Sequence, residues 1–246
     1  MEATAKGRIA LVTGATRGIG RAAALALAAG GAHVVAVART VGALEDLDDA
    51  IRSTGGSASL VPLDLKDGEG IDRLAFTLFE RYGRLDVLMG NAGLLGSLSP
   101  LGHLEPGDWD NVMAVNVTAN WRLIRAMDPL LRRSEAGRAL FVTSAAAWRA
   151  TPYWGLYAVS KAALDTLVRT YANETAATPV RVNLLSPGPI RTRMRAAAMP
   201  GEDPQSLPPP EALAPAVLRL TGAAFSETGR IFSFRDDRFL DYREPA

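Results

Sequence analysis

The chain has no cysteine among its 246 residues, which excludes disulfides and thiolate metal sites and removes one reason to expect a secreted protein. Histidine is nearly absent as well. His33 and His103 are the two present, neither belongs to an HxxH, a carboxylate pair or a similar cluster, and both read as structural or surface residues, so no metal is expected. Nor is there an excess of charge of one sign: 27 Lys and Arg stand against 26 Asp and Glu, for a net charge of +1, and the arginines are scattered. Binding to nucleic acid or to an anionic membrane needs a basic face that this composition does not offer. No apolar run reaches the roughly 18 to 20 residues that span a bilayer, and the opening MEATAKGR lacks the apolar core of a signal peptide. The expectation is a soluble cytoplasmic protein, with a small molecule as its partner rather than a membrane or nucleic acid.

What is present is an ordinary globular composition, 48% hydrophobic and 22% charged, organised around Arg8 to Leu27, RIALVTGATRGIGRAAALAL. A short apolar run, Ile9 to Val12, meets a glycine-rich turn that opens directly into an alanine-rich segment, which reads as strand, tight loop, helix. Gly14, Gly18 and Gly20 have no Cβ, so a pyrophosphate can lie against this backbone while the free N–H groups of the helix N-terminus point at it. The spacing is G-x-x-x-G-x-G rather than the more usual G-x-G-x-x-G.

Strand and helix patterns alternate from there. Strand-like runs occupy His33 to Ala38, Ser57 to Pro62, Leu85 to Met89, Ala139 to Thr143, Val180 to Leu185 and Gly229 to Phe234. Helical patterns lie between them, the longest in the middle of the chain being Trp109 to Leu131, followed by Tyr157 to Ala176; Leu94 to Gly107 is loop-like, Arg191 to Pro210 irregular, and Glu211 to Thr221 a last helix. No linker or repeat interrupts the series. The pattern predicts one α/β domain over residues 1–246, a Rossmann-type doubly wound parallel sheet of about seven strands with helices on both faces. Ligands bind at the carboxyl ends of such strands, and Gly14, Arg39, Asp64, Asn91, Ser144 and Pro187-Gly188 each follow one.

Tyr157 and Lys161 lie four apart at a helix start and share a face. At about 4 Å and an effective dielectric near 20, an ammonium attracts a phenolate by roughly 4 kcal/mol, enough to lower a tyrosine pKa by up to about three units. With TGATRGIG (Thr13 to Gly20), NAG (Asn91 to Gly93), Asn116 within VNV, Ser144 thirteen residues before the tyrosine, YAVSK (Tyr157 to Lys161) and PGPIRT (Pro187 to Thr192), the chain resembles the short-chain dehydrogenase/reductase family from Gly7 to about Phe234.

The resemblance implies an NAD(P)-dependent oxidoreductase that interconverts a carbonyl and a secondary alcohol. It makes Tyr157 the general acid or base, Ser144 the group that polarises the carbonyl oxygen, Lys161 the residue that binds the nicotinamide ribose and acidifies Tyr157, and Asn116 the holder of a water in a proton relay. It places Gly14, Thr16, Arg17, Gly18, Ile19, Gly20, Arg39, Asp64, Leu65, Asn91, Ala92, Gly93, Tyr157, Lys161, Pro187, Gly188 and Ile190 around the cofactor, with Thr192 near the carboxamide. Where an NAD-specific sheet carries a carboxylate for the ribose 2′-OH this chain has Ala38, followed by Arg39, with Arg17 on the same side, so NADP(H) is favoured over NAD(H). Leu94, Leu95, Trp148, Tyr153, Trp154 and Met194 suggest an apolar substrate pocket with at least one of the two tryptophans lining it, and Arg191 to Pro210 matches a mobile substrate lid. A homodimer or homotetramer is implied through the Tyr157 to Ala176 helix. Two alternatives stay open: a 3-oxoacyl-thioester reductase, against which the ending GRIFSFRDDRFLDYREPA speaks because it lacks the usual Gly-Gly pair, and a catalytically silent dinucleotide-binding sensor or scaffold.

Overall fold

The computed structural model describes residues 5–241; residues 1–4 and 242–246, which the expected domain 1–246, the MEATAKGR opening and the reading of the C-terminal end include, lie outside the described residues. Short β-branched and aliphatic runs form the strands β1 (Ile9–Thr13), β2 (His33–Ala38), β3 (Ser57–Pro62), β4 (Val87–Gly90), β5 (Arg138–Val142), β6 (Arg181–Ser186), β7 (Ile231–Ser233) and β8 (Arg238–Leu240). They make a sheet of order β3-β2-β1-β4-β5-β6-β7-β8, parallel throughout except for the antiparallel β7–β8 pair. The chain direction across the sheet reverses between β1 and β4, which leaves a crevice above their carboxyl ends.

The helices are α1 (Gly18–Ala29), α2 (Val41–Arg52), α3 (Gly68–Tyr82), α4 (Pro106–Met113), α5 (Ala119–Arg132), α6 (Ala146–Arg149), α7 (Gly155–Glu174), α8 (Arg193–Ala198) and α9 (Ala214–Thr221). Successive strand residues point to opposite faces, so neighbours in β1 enter different cores. Val12 packs with Leu27 of α1, Leu47 of α2 and Val217 of α9. Leu11 packs on the other face with Ile71 of α3, Leu123 of α5 and Leu164 of α7. Burying both faces explains why β1, β2 and β4 read as unbroken apolar runs.

Three details differ from the sequence expectation. The sheet has eight strands rather than about seven: Phe239 of β8 is edge-on to Phe232 of β7 at 5.2 Å and stacked on Phe225 at 5.9 Å, an aromatic contact made only once the chain turns back after Phe234. The Trp109 to Leu131 pattern is not one helix, because a π-helical turn, Ala114–Thr118, separates α4 from α5. The loop-like Leu94 to Gly107 contains a 3-10 turn at Leu101–His103, and the irregular Arg191 to Pro210 contains α8 and a 3-10 turn at Pro204–Ser206. Asp67 caps α3 by accepting from the Gly70 N–H at 2.9 Å, and left-handed Gly83 ends it. Among the described residues no helix is long and apolar enough to cross a membrane, and no group of three or more His, Asp or Glu converges as a metal site.

Candidate active site

The glycine loop joins β1 to α1 at the crevice. Gly14 has φ +63°, and a Cβ on Gly20 would lie 2.2 Å from the Gly14 carbonyl oxygen and 2.4 Å from Asn91 Nδ2, so the turn closes only with glycine there. Asn91 braces it from the end of β4, its Nδ2 donating to the Thr13 carbonyl at 2.8 Å. Thr13, a residue whose part the motif alone does not reveal, accepts from the Asn91 and Ala92 N–H groups at 3.0 and 3.1 Å. The α1 N-terminus has no side-chain cap and no acidic residue in its first turn. Its N–H groups and dipole therefore face the crevice unopposed, the arrangement that receives a phosphate.

Arg17, the N-cap of α1, and Arg39, just past β2, are both exposed, and α2 begins beside Arg39 with the uncapped N-terminus at Thr40. That is a second helix start with an arginine beside it. Asp64 follows β3, where its carboxylate accepts from the Lys66 N–H at 3.0 Å, and Leu65 is buried beside it.

On the other side of the crevice, Ser144 lies two residues past β5, and Tyr157 and Lys161 occupy the first turns of α7. Tyr157 is buried, its hydroxyl hydrogen-bonded by Ser144, and Trp154 packs edge-on to its ring at 6.2 Å between centroids. Lys161 is buried too. Its Nζ donates to the Val142 carbonyl at 2.8 Å and sits 5.7 Å from the Tyr157 ring centroid. A Cβ on Gly93 would lie 3.5 Å from that Nζ, so the Asn91-Ala92-Gly93 turn and the α7 pair enclose one space.

Burial pushes the Tyr157 phenol up to about 12, opposed by the Ser144 hydrogen bond, and pushes the Lys161 ammonium down to about 8, opposed by Asp165. For the phenol desolvation prevails, and the ammonium donates to the Val142 carbonyl. The Asn116 amide accepts from Leu94 N at 2.8 Å and donates to Leu94 O and Ser160 Oγ, both at 2.9 Å. Ser160 in turn donates to the Tyr157 carbonyl at 2.8 Å, so Asn116 orients the first turn of α7.

Leu94 is held by Asn116, Tyr153 stands 61% exposed with φ +71° while its carbonyl accepts from Ser99 N at 2.9 Å, and Trp148 is 46% exposed. A non-glycine residue in the left-handed region is strained. Trp154, by contrast, lies against Tyr157 itself. Beyond β6, Gly188 turns with φ +72°, Ile190 is buried, and Thr192 caps α8 by accepting from Arg195 N at 3.1 Å, its methyl 3.4 Å from where a Gly18 Cβ would be. Thr192 thus lies against the glycine loop, Met194 is exposed, and Arg195 is clasped bidentately by Glu202 at 2.6 Å.

Residues 8–203 match the family model described as short chain dehydrogenase. The chain is 39% identical over 235 residues to the uncharacterized oxidoreductase YciK of Escherichia coli K12, covering 94% of this chain and 93% of the relative. It is 35% identical over 188 residues to the 3-oxoacyl-[acyl-carrier-protein] reductase of Synechocystis, with 76% of each covered. A crystal structure of a short chain dehydrogenase from Shigella flexneri 2a complexed with NADP superposes with a TM-score of 0.92 at 38% identity, covering 96% of this chain and all of that one. A counterpart from Escherichia coli CFT073 complexed with NADPH gives a TM-score of 0.91 at 38% identity, with 96% of this chain covered and all of that one.

Proposed function

Because the chain belongs to the short-chain dehydrogenase family, we propose that it is an NADP(H)-dependent oxidoreductase that interconverts a carbonyl and a secondary alcohol on an apolar substrate, in one domain, with Tyr157 as the acid and base. The observation that carries this is the Tyr157 hydroxyl held by Ser144 over buried Lys161, across one crevice from the Gly14 to Gly20 turn.

The residues fit the cofactor. The uncapped α1 N-terminus with Gly14, Thr16, Gly18, Ile19 and Gly20 would receive the pyrophosphate, Arg17 and Arg39 the 2′-phosphate, and Asp64 and Leu65 the adenine end. Asn91, Ala92, Gly93, Lys161, Pro187, Gly188, Ile190 and Thr192 would line the nicotinamide end. Thr192 accepts from Arg195 N, so its O–H remains free to donate. When bound, the dinucleotide supplies or accepts the hydride.

The chain's own part is the proton. A phenol near 12 is protonated at neutral pH, the form that donates. Its O–H proton passes to the carbonyl oxygen as negative charge develops there, while Ser144 donates to the same oxygen and Lys161 stabilises the phenolate that is left. The reverse reaction returns the proton to Tyr157. Leu94, Trp148, Tyr153 and Met194 would hold the apolar body of the substrate and exclude water.

The test is NADPH oxidation against a panel of ketones and 3-oxoacyl thioesters, repeated with Tyr157→Phe, which keeps the ring and removes the proton. Loss of turnover by at least about 100-fold is expected; retained turnover places the acid elsewhere. The likeness to the Synechocystis enzyme favours 3-oxoacyl-thioester reduction as a second reading, and the thioester arm decides it. Cytoplasmic residence, where such a cofactor is replenished, and a homo-oligomer complete the proposal. A groove of about 400 Å³ between α5 and α7, bordered by Trp121, Ile124, Leu167 and Tyr171 with Trp121 exposed, is its proposed contact.

A further inference from the structure

Asp165 is a buried carboxylate that the mechanism above does not use. It lies one helical turn beyond Lys161 on α7 and accepts from Thr143 Oγ1, a contact between buried side chains. Thr143 stands between the two residues that meet α7 at the end of β5: Val142, whose carbonyl receives the Lys161 ammonium at 2.8 Å, and Ser144, whose hydroxyl bonds Tyr157. Thr143 is itself fixed by its N–H donating to the Leu185 carbonyl at 2.9 Å. We propose that Asp165 is a positioning residue that, held by Thr143, supplies the buried negative charge keeping Lys161 an ammonium and ties the β5 end to the helix bearing Tyr157.

The reason is desolvation. A lysine taken out of water loses its proton unless an opposite charge accompanies it, and the Val142 carbonyl is only a dipole. Asp165 is the charge that raises Lys161, and Thr143, Lys161 and Arg169 in turn favour the ionised Asp165 against its own burial. Other elements packed on α7 carry Asp108 and Asp110 of α4, Asp128 of α5, Arg149 of α6 and Arg181 of β6, but none of these acts on either group.

The sequence makes the test direct, because Lys161 is one of only three lysines and the other two, Lys6 and Lys66, are exposed. In cofactor-free protein labelled with 15N-lysine, the slow, buried side-chain signal reports Lys161. Asp165→Asn keeps an acceptor for Thr143 and removes the charge; the Lys161 midpoint is expected to fall by about one unit or more, and the basic limb of the kcat/KM profile to move with it. Thr143→Val shifts the midpoint the same way by weakening the ionised carboxylate, and Thr143→Ser restores it. If Asp165→Asn does not fold, the Thr143 pair decides alone. An unchanged Lys161 midpoint in Asp165→Asn, or in Thr143→Val where only that pair folds, overturns the proposal. The proposal rests on the reading of Lys161 given above, but the NMR titration needs no turnover, so its failure is distinct from a failure to reduce any carbonyl.

Discussion

Replacing Gly20 by alanine puts the packing of the glycine loop to a quantitative test. Gly20 lies inside α1, where alanine is ordinarily favoured over glycine by about 1 kcal/mol, and its φ is not left-handed, so backbone strain is not at issue. The obstacle is contact: the new methyl would sit 2.2 Å from the Gly14 carbonyl oxygen and 2.4 Å from Asn91 Nδ2. Neither atom gives way easily. The Gly14 carbonyl belongs to a turn fixed at φ +63°, and Asn91 Nδ2 is held by the Thr13 carbonyl at 2.8 Å. Bringing the closest contact back to 3.0 Å moves the turn by at least 0.8 Å. Overpacking of this kind costs about 1 to 3 kcal/mol, more than the helix preference returns. The displaced turn also withdraws its N–H groups from the phosphate position, so NADPH affinity should drop at least about 10-fold, or 1.4 kcal/mol. Urea unfolding followed by circular dichroism and a fluorescence titration with NADPH read the two effects separately. Gly42→Ala in α2, where a Cβ meets nothing within 4 Å, is the control and should stabilise by about 0.5 to 1 kcal/mol. A Gly20→Ala protein as stable as the parent and with the parent's NADPH affinity would refute the reasoning.

Other perturbations follow from the same contacts. Arg39→Ser should lower kcat/KM for NADPH by about 10- to 100-fold, the worth of a charge-assisted hydrogen bond of about 1.5 to 3 kcal/mol, and leave NADH nearly unchanged; steady-state kinetics with both cofactors check it. Asp86 accepts from Ile9 N at 2.8 Å and from Ser134 Oγ at 2.6 Å, so Asp86→Ala should cost about 1 to 3 kcal/mol in urea unfolding by leaving those donors unpaired. Burial lifts Asp165 from 3.8 to about 6, so between those values the folded protein holds a proton that the unfolded chain has released. Stability should therefore fall as pH rises from about 4 to 6, by on the order of 2 kcal/mol, and Asp165→Asn should flatten that slope in pH-dependent melting.

Much of the site was legible because its chemistry depends on close spacing. Gly14, Gly18 and Gly20 sit in one turn, and Tyr157 and Lys161 on one helix face, and both relations are local. The strands β1 and β2 were legible for the reason that both faces of each are buried. The eighth strand was not, since Arg238–Leu240 is three residues long and gains its identity from pairing Phe239 with Phe232 and resting on Phe225. The break at Ala114–Thr118 escaped the helical pattern because a π turn keeps the apolar residues of Trp109 to Leu131 in helix-like spacing while adding one residue to the turn.

The amino-acid order by itself determined the alternating layers, the glycine turn and the placing of Tyr157 and Lys161 on one helix face, since each is written in periodicity or in spacing of a few residues, while Ser144 entered through the family resemblance. The tertiary structure alone decided the charge states and the supports. Tyr157 and Lys161 are shifted by a desolvation that exists only inside the packed crevice. Asn116, Thr143 and Asp165 acquire their partners from segments far along the chain, Leu94, Ser160 and the β5 end meeting α7. Spacing survives in a linear string, whereas burial and long-range hydrogen bonds are made only when distant segments are brought together and water is removed.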